Sequence, residues 1–223
     1  MSEKRDILNK IIESSNSSLT DREIEDSILE PLMEEIDLIR DHSISSFVRS
    51  MLLRAEEFWK IPGSFASVYH PPDEDNEFGN ILHTKRVVRV ALIMCANLSY
   101  SNIETDIVIA ACLLHDLTKG VPAENGKLDY DEFHAFTIDN FYYNVKRQDL
   151  LNAETQSTVL HLDDQTVAKI LRLIHCHEGA DSKIPETRPL IEEEMILANS
   201  NSIASRLHWI IDGDSIIMDR WLL

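Results

Sequence analysis

Residues 113–120 read LLHDLTKG, which puts a histidine and a carboxylate, His115 and Asp116, at the end of the apolar run Ile107 to Leu114. Burying a carboxylate in such a place without a partner is expensive. A metal ion is one such partner, and neighbouring His and Asp on one chain turn can ligate it together. Alone, the pair would suit a helix cap at the surface equally well. It is accompanied, however, by His83 upstream, His134 in EFHAF, and His175 and His177 in LIHCHEG. So many imidazoles near the ends of apolar segments exceed what a core needs, and the set points to a metal site.

The elements that must position these residues are helical. Residues 81–98 predict a helix with Val87, Val90, Ala91 and Met94 on one face. His83 lies one turn before Val87 and shares that interior face. Ser101 and Glu104 are spaced as a capping box for the next helix, about 104–115. That helix is apolar nearly all round, so it is expected at the centre and most deeply buried. Gly120, Pro122 and Gly126 open a loop, and further helices are expected at about 130–146, 164–177 and 190–211. Val167, Ile170, Ile174 and His177 fall at helical spacing. This favours His177 over His175 as the residue facing the interior.

Residues 1–60 are mostly amphipathic and helical, with Ile24, Ile28, Leu29, Leu32 and Ile36 in a stripe that Pro31 kinks or divides. Residues 61–80 hold Pro62, Gly63, Pro71, Pro72 and Gly79 and read as an irregular connection. An all-α fold follows, divided as a helical extension over 1–55 and a main domain over 56–223. With only 6 Gly and 7 Pro, a turn-rich all-β fold is excluded.

Composition narrows the partners. A net charge of −18 repels phosphate backbones, so long nucleic acid is a poorer partner than a small phosphorylated molecule. The longest apolar run is far too short to cross a bilayer, so no membrane partner is expected. The charged N-terminus gives no sign of a secretory leader. Cys95, Cys112 and Cys176 read as reduced thiols, which fits a cytoplasmic protein. The sequence leaves open whether the chain works as a homodimer.

The order of His83, then His115-Asp116 with Lys119 three residues on, then downstream histidines, resembles the HD-domain metal-dependent phosphohydrolases from about Phe58 to Trp209. The segment FWKIPGSFASVYHPPDEDNEFGNILHTKRVV resembles the subgroup that includes HD-type 3′→5′ exoribonucleases. There a Pro-small-residue step and a His precede a Gly-Leu-x-x-His-Thr stretch. IASR at Ile203 to Arg206 resembles the end of the last core helix of the superfamily. LLHDLTK departs from the frequent HDxGK form, with Thr118 in place of Gly.

The resemblance implies an HD-domain helical bundle that holds one or two divalent ions (Mn, Fe, Ni, Zn, Co or Mg). His83, His115 and Asp116 carry over as ligands, and Asp116 bridges in two-ion members. His134 is the candidate for one further ligand, and His177, with His175 as the alternative, for another. The family usually closes its site with an Asp, where SNSIAS puts Asn201. An amide oxygen still ligates but is neutral, so weaker metal binding is expected. Asp212 or Asp214 is the alternative. The implied reaction is hydrolysis of a phosphoester by a metal-activated water, with Asp116 and Lys119 as catalytic residues. Lys119 either binds a phosphoryl oxygen or is a solvated cation offsetting the helix dipole. Lys85, Arg86 and Arg89 either receive substrate phosphates or form a solvated face, which is the preferred reading. His70 either lines the pocket mouth or is an ordinary loop residue. The expected substrate is a nucleotide or a small cyclic or oligonucleotide. The alternatives are 3′→5′ exonuclease action on single-stranded nucleic acid, and a metal-binding or interaction module weakened by Asn201.

Overall fold

Pro31 sets the first break in the chain. In the computed structural model, which describes residues 21–64, 70–120, 134–151, 162–206, 209–212 and 215–218, helix α1 (Asp21–Leu29) stops just before it. Residues Glu30–Leu32 form a 3-10 turn, and a short helix α2 (Met33–Ile36) follows. Proline lacks the N–H that a continuous helix would need and clashes with the preceding turn. Asp41 then caps α3 (His42–Leu53), accepting from Ser43 N at 2.9 Å and Ile44 N at 3.0 Å.

Two long helices carry the centre. Helix α4 (Gly79–Asn97) presents His83, Thr84, Val87, Val88 and Ala91 inward. Helix α5 (Asn102–Leu114) starts on the expected capping box: Ser101 N donates to Glu104 Oε2 at 2.9 Å, and Glu104 N to Ser101 Oγ at 3.4 Å. From Asp106 to Leu114 every α5 residue is buried, because its apolar residues leave no face for water. Helices α3, α4, α7 (Asp164–His175) and α8 (Glu192–Ala204) pack around it. Helix α6 (His134–Leu151) packs against α7. One apolar core joins Leu29, Leu32, Ile36 and Phe47 of the first helices to α4, α5, α7 and α8.

The all-α expectation holds, with one local correction. The predicted helix over 190–211 ends at Ala204, and β1 (Trp209–Asp212) pairs antiparallel with β2 (Ser215–Met218). Runs of aromatic and β-branched residues, Trp209-Ile210-Ile211 and Ile216-Ile217, flank Gly213-Asp214, a dipeptide suited to a two-residue hairpin. Of the segment expected as an irregular connection, residues 61–64 and 70–78 carry a 3-10 turn at Pro72–Glu74 and no other helix or strand, residues 79–80 already belong to α4, and residues 65–69 lie outside the described residues. Among the described residues no helix is long and apolar enough to cross a membrane. All three cysteines are free and buried.

Candidate metal centre

His115 is the residue that follows the last turn of α5, and it folds back on its own helix. Its Nδ1 donates to the Cys112 carbonyl at 2.7 Å. That bond places the ring proton on Nδ1 and leaves Nε2 as a bare lone pair. His177 repeats the arrangement just beyond α7, donating from Nδ1 to the Ile174 carbonyl at 2.7 Å. Both rings are 1% exposed. His83 Nε2 lies 3.4 Å from His115 Nε2, and His83 Nδ1 lies 3.3 Å from Glu74 Oε2.

Oxygens join these nitrogens. Asp116 Oδ2 is 3.6 Å from His115 Nε2, while its other oxygen is 3.9 Å from His177 Nε2. The carboxylate therefore faces one imidazole with each oxygen. Asn201 on α8 donates Nδ2 to the His177 carbonyl at 3.2 Å, which turns its Oδ1 to within 2.9 Å of His83 Nε2. The rings of His70, His83, His115 and His177 run in a row, with successive centroids 4.6, 5.3 and 5.4 Å apart.

Lone pairs brought this close in a dry interior repel unless a cation lies between them. His83, His115 and Asp116 offer donor atoms all within 4.8 Å of one another. That donor set fits a divalent ion, which takes neutral imidazole and carboxylate together. The electrostatics agree at His115. Burial lowers its pKa to about 3, assisted by His83 and His177 and opposed by Asp116. A ring with that preference stays neutral, the form a metal requires. His177 moves the other way: burial lowers its proton affinity, but Glu178, 3.1 Å from Nε2, and Asp116 raise it above the ordinary value.

Lys119 neither reaches into solvent nor stands free at the centre. Its Nζ donates to Asp116 Oδ2 at 2.6 Å and to the Gly63 carbonyl at 2.7 Å. The basic strip is likewise committed. Arg86 binds Asp73 and Glu74, and Lys85 lies 3.6 Å from the buried Glu35, so the solvated-face reading fails for these two residues. A half-buried guanidinium beside two carboxylates has stronger partners than water. His175 turns away to Asp139 of α6 at 3.1 Å, so it ties two helices together while His177 faces Asp116. His134 is the first residue of α6, but its side chain lies outside the described residues. The same holds for the side chain of Asp212 on β1 and for all of Asp214.

Two carboxylates at the site escaped sequence reasoning. Glu74 is buried and accepts from His70 Nδ1 at 2.7 Å and Arg86 Nη1 at 2.5 Å. Burial alone would raise its pKa, but His70, His83 and Arg86 together lower it to about 2. Its spacing of four residues from His70 was the available signal. Glu178 directly follows His177, and that adjacency was its only mark.

No curated protein and no solved structure matches the chain. The HD domain family model matches residues 80–205, which runs from the start of α4 through the end of α8 and takes in His83, His115, Asp116, His177 and Asn201. With more than half of its length matched, and with the donor set just described inside the match, the chain belongs to the HD-domain family.

Proposed function

We propose that the protein is a metal-dependent phosphohydrolase that cleaves a phosphoester of a nucleotide or a small cyclic or oligonucleotide. The observation that carries this reading is the convergence of bare imidazole nitrogens with the Asp116 carboxylate. His83, His115, Asp116 and Asn201 hold the first ion, and Asp116 extends toward a second held by His177 and His134. An imidazole-rich set suits Zn, Fe, Co, Ni or Mn better than Mg. When bound, such an ion supplies a water of lowered pKa and neutralises charge on phosphoryl oxygens.

The chain's own groups do the rest. Lys119 keeps the Asp116 carboxylate turned toward the centre. Its ammonium has three N–H donors, of which two are engaged among the described residues, and the third would serve a phosphoryl oxygen. Exonuclease action on single strands is disfavoured, because Lys85 and Arg86 are paired with carboxylates and the net charge is −18. We further infer a cytoplasmic protein whose HD domain spans 56–223 behind a helical extension over 1–55, with dimerisation unassigned.

The test is elemental analysis of the purified protein together with a panel of nucleotides and generic phosphoesters assayed with Mn²⁺, Ni²⁺, Mg²⁺ and Zn²⁺. Bound transition metal with metal-dependent phosphate release is expected. Tight metal without turnover on any substrate would favour the binding-module reading that Asn201 suggests, and no metal at any concentration would overturn both.

A further inference from the structure

We propose that Glu74 is a positioning residue of the metal centre: its side chain holds His83, and its backbone, through Gly63 and Lys119, holds Asp116. The proposal rests on the metal reading above and adds a residue outside the HD domain match.

The argument begins with what surrounds Glu74. The residue is 0% exposed, yet it is a carboxylate, and a buried charge persists only where partners compensate it. Arg86 supplies the cation on Oε1, with Asp73 bracing the guanidinium from the other side. Oε2 receives His70 Nδ1 and faces His83 Nδ1, a buried nitrogen that has no aligned hydrogen bond among the described residues. A carboxylate facing that nitrogen favours a proton on it, and so leaves His83 Nε2 as the lone pair directed at His115 and Asn201.

The backbone of Glu74 works in the opposite direction. Its carbonyl accepts from Gly63 N at 2.8 Å, the Gly63 carbonyl accepts from Lys119 Nζ at 2.7 Å, and Lys119 holds Asp116 at 2.6 Å. One residue is thus linked to two ligands that come from different helix ends. Gly79 makes the approach feasible: a Cβ there would sit 1.7 Å from the Glu74 carbonyl oxygen, so only glycine lets the start of α4 lie against it.

His70, Glu74 and His83 also bring donor atoms within reach of a shared ion. Arg86 already occupies Glu74 as its cation, however, and an ion there would take the Nδ1 lone pair of His83 and move the ring proton to Nε2, which could then no longer ligate at the centre. The cluster therefore reads as support for the site and not as a second one.

The experiment compares the wild type with Glu74→Gln. Mn²⁺ affinity is measured by titration calorimetry, and the His83 ring nitrogens and protons by NMR on the metal-free protein. The expected result is an affinity loss on the order of 10–100-fold, together with a shift of the His83 ring proton from Nδ1 toward Nε2, read from the two ring ¹⁵N resonances. Absence of either change overturns the proposal. Arg86→Lys, which keeps a cation beside Glu74, should lower stability while sparing the His83 ring resonances. Should Glu74→Gln fail to fold, Glu74→Asp retains the charge for Arg86 but withdraws it from the rings, and the same two changes are expected. A wild type that takes up no Mn²⁺ would overturn the metal reading, and the ring measurement, made without metal, would still decide whether Glu74 holds His83.

Discussion

Helices α5 and α7 end in the same device and hold opposite charge preferences. Each begins on a side-chain cap, Ser101 for α5 and Asp163 for α7. Each delivers, just past its last turn, a histidine whose Nδ1 bonds the carbonyl three residues back at 2.7 Å. Yet α5 is buried on every side from Asp106 on, whereas α7 buries Val167, Ile170, Leu171 and Ile174 and leaves Lys169 exposed. His115 consequently meets only the centre and stays neutral, while His177 borders the exposed Glu178 and gains proton affinity. Local backbone geometry fixes which nitrogen points inward. The neighbours at that nitrogen decide whether it carries a lone pair or a proton.

The strongest way to break this comparison is to remove each ring. His115→Ala should abolish the first ion, lowering affinity by at least roughly 100-fold, since it deletes a direct ligand and not only a supporting group. His177→Ala should spare the first ion and reduce stoichiometry at saturating Mn²⁺ from about two to about one. Elemental analysis after equilibrium dialysis reads both. Equal effects of the two substitutions would mean that the rings serve one ion, and a wild type that never exceeds one would make His177 a lining residue.

What the sequence made legible follows the same division. The end of α5 was readable because eight apolar residues running into His115-Asp116 leave a buried charge to be explained. His83 was readable from helical spacing alone, as were the capping box at Ser101 and the break at Pro31. Glu74 was not, because its placement depends on an irregular segment in which no period relates position to burial. Arg86 shows the complementary error. Helical spacing put it on a polar face, but spacing says nothing about a carboxylate that another segment brings to that face. The hairpin was missed although Gly213-Asp214 between aromatic and β-branched runs announced it, since the apolar pattern of α8 was carried past Ala204.

A smaller change sharpens the contrast at α8. Where α5 contributes a carboxylate, α8 contributes the neutral amide of Asn201, and that amide also donates to the His177 carbonyl. Asn201→Asp adds charge at the first ion but removes this donor and sets a carboxylate against a carbonyl. Mn²⁺ affinity should rise, on the order of tenfold or more if ligand charge matters at least as much as supporting contacts do. The metal-free protein should lose about 1–3 kcal/mol, the typical cost of leaving a buried polar group unmatched. Calorimetry and urea denaturation in chelator measure the two. Unchanged affinity would show that Asn201 serves the end of α7 and not the ion.

The gentlest test uses acid alone, on the metal-free protein. The unfolded chain binds a proton at His115 below about 6.5, whereas the folded chain refuses it down to about 3. Between those values the unfolded state holds more protons, so this residue makes stability fall as pH falls, by up to about 1.4 kcal/mol per unit. His177 has the opposite sign. Its folded proton affinity is raised, so its contribution is fully present below 6.5 and is lost as pH rises through the higher folded value. Urea midpoints at intervals from pH 8 to pH 5 should therefore diverge between variants. His115→Gln should flatten the acid loss relative to wild type, and His177→Gln should steepen it. Parallel curves for the two variants would show that neighbours at Nε2 do not separate the rings, and that the shared bond back to the helix carbonyl governs both.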